Sequence, residues 1–209
     1  MSRYTRPMAE GDIAPVTEID RAVFHDMWPP VNYKNEFLNP LAHYIVACGE
    51  EITAGESPRP ESGMGRWSGF RRLFGGKAPL PHRLGIIGFA GIWLMADEAH
   101  IMNLAVRESH RRRGIGEMLL ITTIELADRL NAGIVTLEVR ASNTAAIALY
   151  DKCGFAQVDL HRAYYLDNKE DAVLMSTEKI TAATFQDHLQ RLKQDHSSRW
   201  GIPLCKVTS

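Results

Sequence analysis

From Ala9 to Phe24 the apolar residues Ile13, Val16, Ile19, Val23 and Phe24 recur at helical spacing, and Asp12 stands where an N-cap belongs. Pro29, Pro30 and Pro40 then punctuate the chain around a short helix predicted at Tyr33 to Leu38, and His43 to Cys48 predicts a short strand. Leu84 to Met95 is a continuous apolar run of buried-strand type. After an Ala-Asp-Glu turn signal a second strand is expected at Ala99 to Val106, so the two predict a hairpin. Beyond Gly114, the positions Met118, Leu119, Ile121, Ile124, Leu126, Ala127 and Leu130 mark a long amphipathic helix that Asn131 and Gly133 stop. Ile134 to Arg140 alternates, with Val135, Leu137 and Val139 on one face and Thr136, Glu138 and Arg140 on the other. Asn143 can cap a helix at Thr144 to Lys152 that ends at Gly154, and strands follow near Phe155 to Leu160 and Ala172 to Thr177. After Ile180, Phe185, Leu189 and Leu192 share one helical face, the pattern of an appended amphipathic helix.

Composition narrows the class. With 209 residues, 24 Lys plus Arg against 25 Asp plus Glu and 45% hydrophobic residues, the chain is neither a disordered acidic tail nor a protein basic over its whole surface. Its length suits one decorated domain that needs neither disulfide nor metal to fold. Cys48, Cys153 and Cys205 lie far apart with no C-x-x-C spacing, so a reducing cytoplasm is the expected compartment. The N-terminus has no apolar signal region, and no apolar stretch approaches the ~20 residues of a membrane span. One stretch departs from the average. Ser57 to Arg83 holds five of the sixteen Gly, four of the ten Pro and six basic residues against the single acid Glu61, and it predicts a mobile inserted loop.

The chemistry concentrates in NLAVRESHRRRGIGEMLL, where a strand runs into a basic turn, two glycines follow, and a helix opens. Backbone N–H groups and the positive end of a helix dipole converge there, which suits a diphosphate. Gly114 and Gly116 permit close backbone approach, and Arg111, Arg112 and Arg113 add charge. An exposed helix start with solvated arginines would give the same short pattern. A Walker loop needs Lys and a hydroxyl after its last glycine, whereas Glu117 and Met118 follow Gly116; a dinucleotide loop needs a third glycine.

R-x-x-G-x-G after a strand resembles the acetyl-coenzyme A site of the Gcn5-related N-acetyltransferases (GNAT). LEVRASNTAAIALYDKCGF, from Leu137 to Phe155, and HRAYYLDNKEDAVLM, from His161 to Met175, are similar to the RimI family of ribosomal-protein alanine N-acetyltransferases. The likeness is loose over Met1 to Cys48 and strong over Leu84 to Lys179. It implies an α/β (α+β) acyltransferase fold, a mixed central sheet flanked by helices, over residues 1–180, with an insertion at 57–83 and a C-terminal helical extension at 181–209. It implies acetyl-CoA as cosubstrate, contacted by Leu104, Ala105, Val106, Arg111, Arg112, Arg113, Gly114, Ile115, Gly116, Glu117 and Asn143, with no metal. The implied acceptor is a protein N-terminus, the alanine of a small-subunit ribosomal protein, entering past Trp28, Tyr164 and Tyr165. The resemblance also makes Tyr150 the general acid. Arg111 stands where many relatives have Gln, and the 57–83 insertion is foreign to the short pattern.

An N-terminal amine with a pKa of ~8 must lose a proton to attack a thioester, and Glu138, at a strand end, is the candidate base. Other readings stay open at this point: Glu138 as a solvated carboxylate paired with Arg140, Tyr150 as a core aromatic, Tyr164 and Tyr165 as sheet-edge packing. The eight histidines show no metal-ligand spacing, and Cys153 reads as packed at a helix end rather than as a nucleophile. Trp67, Phe70 and Phe74 interleave with Arg66, Arg71 and Arg72, so the insertion is either an idle loop or an arm meeting ribosomal RNA or an acidic protein. Besides N-alpha-acetylation, acetylation of a small-molecule amine or a lysine, and a non-catalytic acyl-CoA sensor, fit the same motifs.

Overall fold

The apolar and alternating runs become strands β1 (Tyr4–Pro7), β2 (Ala42–Glu50), β3 (Leu84–Met95), β4 (Glu98–Val106), β5 (Ile134–Arg140), β6 (Phe155–His161) and β7 (Ala172–Thr177). The helical patterns become α1 (Ile13–Val23), α2 (Tyr33–Leu38), α3 (Ile115–Arg129), α4 (Thr144–Lys152) and α5 (Ala183–Trp200). This is a computed structural model, and it describes residues 3–24, 31–50 and 84–201. Trp28 and the 57–83 insertion lie outside the described residues.

The strands form one sheet in the order β1-β2-β3-β4-β5-β7-β6. All neighbours are antiparallel except β4 and β5, which α3 joins as a parallel crossover. Alternation sends successive side chains to opposite faces. Tyr44 and Val46 pack with Phe89 and Ala105 under α1 and α2, whereas Ile45 and Ala47 pack with Ile87, Met118 and Leu119 of α3. The larger core joins β4, β5 and β7 to α3, and it takes in Phe185, Leu189 and Leu192 of α5. The helix after Ile180 therefore shares the main core.

Two local readings are corrected. Asp12 does not cap α1 with its side chain; its carboxylate accepts from the Ala9 N–H at 2.8 Å and from Arg6 at 2.5 and 2.9 Å, tying α1 to β1. After α3, Asn131 (φ 62°) takes the left-handed turn, while Gly133 donates its N–H to Asp97. β1 carries no long alternation and went unseen in the sequence.

β4 and β5 pair only from Glu98 and Ile134 through Ile101 and Leu137. Met102 is skipped in the β3–β4 register, a bulge that bends β4, and past it the two strands part. That split, with α3 opening at the end of β4, positions the candidate site. No described helix is long and apolar enough to cross a membrane.

Candidate active site

The basic turn closes β4 onto α3 through two left-handed residues, Arg112 (φ 61°) and Gly114 (φ 77°). Alternating conformations of this kind curl successive N–H groups around a concavity that takes anions. Gly114 is required twice over, by its φ and because a Cβ there would lie 2.6–2.7 Å from the indole of Trp200. Gly116 has neither reason, since its Cβ would meet nothing closer than Leu149 at 3.4 Å. Its missing side chain leaves room beside the free N–H groups of the first turn of α3, where a ligand backbone would approach.

Facing this turn, the freed edge of β4 offers further donors. Arg107 N–H bonds to Ile87 O of β3 at 2.9 Å, and alternation along β4 then gives Ala105 to Phe89 and turns the N–H groups of Leu104 and Val106 away from β3 toward the split. The Val106 carbonyl accepts from Arg111 Nε at 3.3 Å, which folds that arginine back on the strand. Of the other expected cofactor contacts, Glu117 directs its carboxylate to Lys152 at 2.6 Å, linking the first turn of α3 to the last turn of α4. Asn143 caps α4 by accepting from Ala146 N–H at 3.2 Å, a bond that does not engage its Nδ2 donor.

Glu138 lies one residue past the last β4–β5 pair, at the mouth of the split. Its partner is His100 and not Arg140: His100 Nε2 and Glu138 Oε2 are 2.8 Å apart. The array continues from His100 Nδ1 to Thr136 Oγ1 at 2.8 Å, and from Thr136 Oγ1 to Glu98 Oε1 at 2.5 Å. The hydrogen bond from His100 keeps the Glu138 carboxyl below its usual range, against the opposing effect of burial.

Tyr150 is buried at 9% exposure, and its ring lies 5.9 Å from that of Phe155. Burial pushes its hydroxyl up to about 12, so the proton stays on at neutral pH. Tyr164 and Tyr165 form an edge-to-face pair at 5.3 Å in the β6–β7 loop, with Tyr164 48% exposed and its pKa raised by burial and by the nearby Glu138. Arg140 organises that loop. It lies 3.9 Å over the Tyr165 ring and donates to both oxygens of Asp167 at 3.0 Å and to Glu170 at 3.3 Å. Glu170 in turn accepts from the Ser142 N–H at 2.7 Å, and hydrogen bonding to the Ser142 side chain, then to its N–H, brings the Glu170 pKa to about 2.

The structure thus brings Glu138, Tyr164 and Tyr165 together beside the split, and sets Gly114 to Gly116 at its β4 end. His100 and Arg140 are side chains that order this region and that the sequence motifs do not single out. His100 was legible in principle: it pairs with Thr136 in register, and Thr136 shares a strand face with Glu138. Cys153 is fully buried and its thiol is pushed up to about 12, consistent with packing. Among the described residues no cluster of His, Cys, Asp and Glu is arranged to hold a metal ion.

Known proteins are similar to this chain in sequence and in fold. Mycobacterium tuberculosis N-alpha-acetyltransferase RimI is 31% identical over 182 residues, 84% of this chain and 95% of that protein. The ribosomal protein bS18-alanine N-acetyltransferase of Escherichia coli (strain K12) is 41% identical over 90 residues, 42% of this chain and 61% of that protein. Among solved structures, the ribosomal-protein-S18-alanine N-acetyltransferase from Escherichia coli has a TM-score of 0.59 at 23% identity, covering 87% of this chain and 96% of that one. Arabidopsis thaliana NAA60 in complex with acetyl-CoA reaches 0.63 at 20% identity, over 84% of this chain and 97% of that one. Those two likenesses concern the fold. The model of the Acetyltransferase (GNAT) family matches residues 50–155, just over half of the sequence, and with the long mycobacterial match it shows that this chain belongs to that family.

Proposed function

We propose that the protein is an acetyl-CoA-dependent N-alpha-acetyltransferase of the cytoplasm whose acceptor is a protein N-terminus, the alanine of a small-subunit ribosomal protein. The observation that carries the reading is an ionised carboxylate, Glu138, held by His100 and the Thr136–Glu98 hydrogen bonds at the mouth of a split sheet whose other strand runs into an anion-binding turn. The names of the relatives support the acceptor class.

Acetyl-CoA supplies the acetyl group as a thioester. The turn at Gly114 to Gly116 and the arginines before it bind the diphosphate, and the Leu104 and Val106 N–H groups offer hydrogen bonds to the thioester oxygen. Glu138 takes the proton of the acceptor ammonium, directly or through one water. Its lowered pKa keeps it in the accepting form at neutral pH, and His100 ties the carboxylate to the Thr136–Glu98 array. As the C–N bond forms and the C–S bond breaks, Tyr150, protonated at neutral pH, gives its proton to the departing sulfur, and the second proton that the nitrogen sheds on becoming an amide restores Tyr150 through solvent. Tyr164 and Tyr165 form one wall of the acceptor's entry, with Trp28 expected on the other.

The test offers acetyl-CoA with three acceptors: a short Ala-starting peptide, the same peptide N-terminally blocked with an internal lysine, and spermidine. Thiol release with the free N-terminus alone is expected; release only with lysine or spermidine refutes the acceptor class, and release with none refutes catalysis. Glu138→Gln and Tyr150→Phe are each expected to lower kcat by ~10²-fold with CoA affinity retained. Wild-type rates in either would remove that residue from its role.

A further inference from the structure

The stripe that docks α5 on the core, Phe185, Leu189 and Leu192, continues at helical spacing into His196 and Trp200, and these two reach the anion-binding turn. His196 Nε2 lies 3.0 Å from the Gly114 carbonyl oxygen, which cannot donate, so Nε2 carries the hydrogen and donates it. The same oxygen accepts Met118 N–H at 2.9 Å. One residue earlier, the Arg113 carbonyl accepts from Arg3 at 3.1 Å, a donor from the opposite end of the chain. The Trp200 indole occupies the space a side chain at position 114 would fill.

A trans peptide points its C=O and N–H in opposite directions. Anchoring the Arg113 and Gly114 carbonyls from outside therefore turns the Gly114 and Ile115 N–H groups the other way, into the concavity. A carbonyl that accepts two hydrogen bonds also polarises its peptide and strengthens the N–H on the far side as a donor. Stability alone does not account for this pair. His196 is 1% exposed with Nδ1 unpartnered, and Trp200 Nε1 is buried without a partner as well, so apolar residues would pack there at lower cost.

We propose that His196 and Trp200, with Arg3, are positioning residues for the cofactor's diphosphate: they hold the Gly114 turn from both chain ends so that its N–H groups are aimed before the cofactor arrives. The proposal rests on the reading that this turn takes the diphosphate of acetyl-CoA. It makes α5 part of the cofactor site without touching the cofactor.

The experiment uses the full chain. CoA affinity is measured by calorimetry, and kcat/KM is compared for acetyl-CoA and for S-acetylpantetheine, which has the thioester without the diphosphate; the thermal midpoint is recorded alongside. His196→Ala and Arg3→Ala are each expected to weaken CoA binding roughly tenfold, the loss of one hydrogen bond, with S-acetylpantetheine kinetics changed less than about twofold. His196→Gln, whose amide N–H can reach the same carbonyl, is expected to recover most of the affinity. Unchanged CoA affinity in both alanine variants overturns the proposal. So do equal losses with both donors, which would mark a purely structural role. Should His196→Ala fail to fold, Arg3→Ala and His196→Gln carry the same comparison. A wild type that binds CoA but acetylates nothing refutes the acetyltransfer reading and leaves this proposal to be decided by affinity; a wild type that does not bind CoA overturns both.

Discussion

Glu138 illustrates how one neighbour sets what a carboxylate can do. Burial alone would raise its pKa, and the hydrogen bond from His100 outweighs that and lowers it. In the proposed role of base, a carboxylate with a lowered pKa is weak but stays in the proton-accepting form at neutral pH. Removing His100 removes the largest cause of the lowering. In His100→Ala the Glu138 pKa is expected to rise, so the acid limb of the kcat/KM profile moves to higher pH. The sign follows from the active form being the carboxylate: activity falls as pH drops through the Glu138 pKa, and a higher pKa brings that fall sooner. The same lowering links Glu138 to stability, present above its ordinary 4.5 and lost as pH falls through the folded value. An unmoved acid limb in His100→Ala would show that the pair does not govern the base.

At the scale of elements, the β6–β7 loop holds its aromatic pair because Arg140 supplies both charge and a flat surface. Its guanidinium covers Tyr165 and bridges the carboxylates of Asp167 and Glu170, which ties the loop to β5. Arg140→Ala is expected to raise the peptide KM severalfold with CoA affinity unchanged, and to lower the thermal midpoint by a few degrees. A kcat defect with unchanged peptide KM would instead place Arg140 in the chemistry. Glu170 gives this loop its acid sensitivity: the stabilisation is complete above 4.5 and disappears as pH falls through about 2. The loop's partners explain what a linear reading could find. Helices α2, α3 and α4 and the β3–β4 hairpin follow local periodicity and caps, so their positions were legible to within a residue or two. Arg140 alternates onto the same face as Glu138, which invites pairing along the strand, but its partners lie 27 to 30 residues downstream. His100 likewise meets its acid across a parallel pair that only the crossover creates.

For the whole molecule, the chain's two ends and its insertion show what composition averages away. α5 reads as an appendage in sequence because its polar face is long, yet Phe185, Leu189 and Leu192 sit in the main core, each worth roughly 1.5–3 kcal/mol of burial. The net charge of -1 likewise hides the six bases and one acid of Ser57 to Arg83. The rung that pairs Glu50 with Leu84 settles how separable that segment is, because its flanks leave and rejoin β2 and β3 at facing positions. Facing residues of antiparallel strands have Cα atoms about 4.5–5.5 Å apart, a gap that a four-residue hairpin turn spans. Replacing residues 51–83 by such a turn is therefore expected to preserve the β2–β3 register and to leave kcat/KM on the free Ala-starting peptide within about twofold. If the segment instead serves as a basic arm, the same variant loses activity only on the ribosomal protein in its RNA-bearing assembly, and the wild-type advantage there fades as salt rises, because contacts to phosphates release counterions. Collapse of free-peptide activity would refute separability and place the segment within the acceptor site.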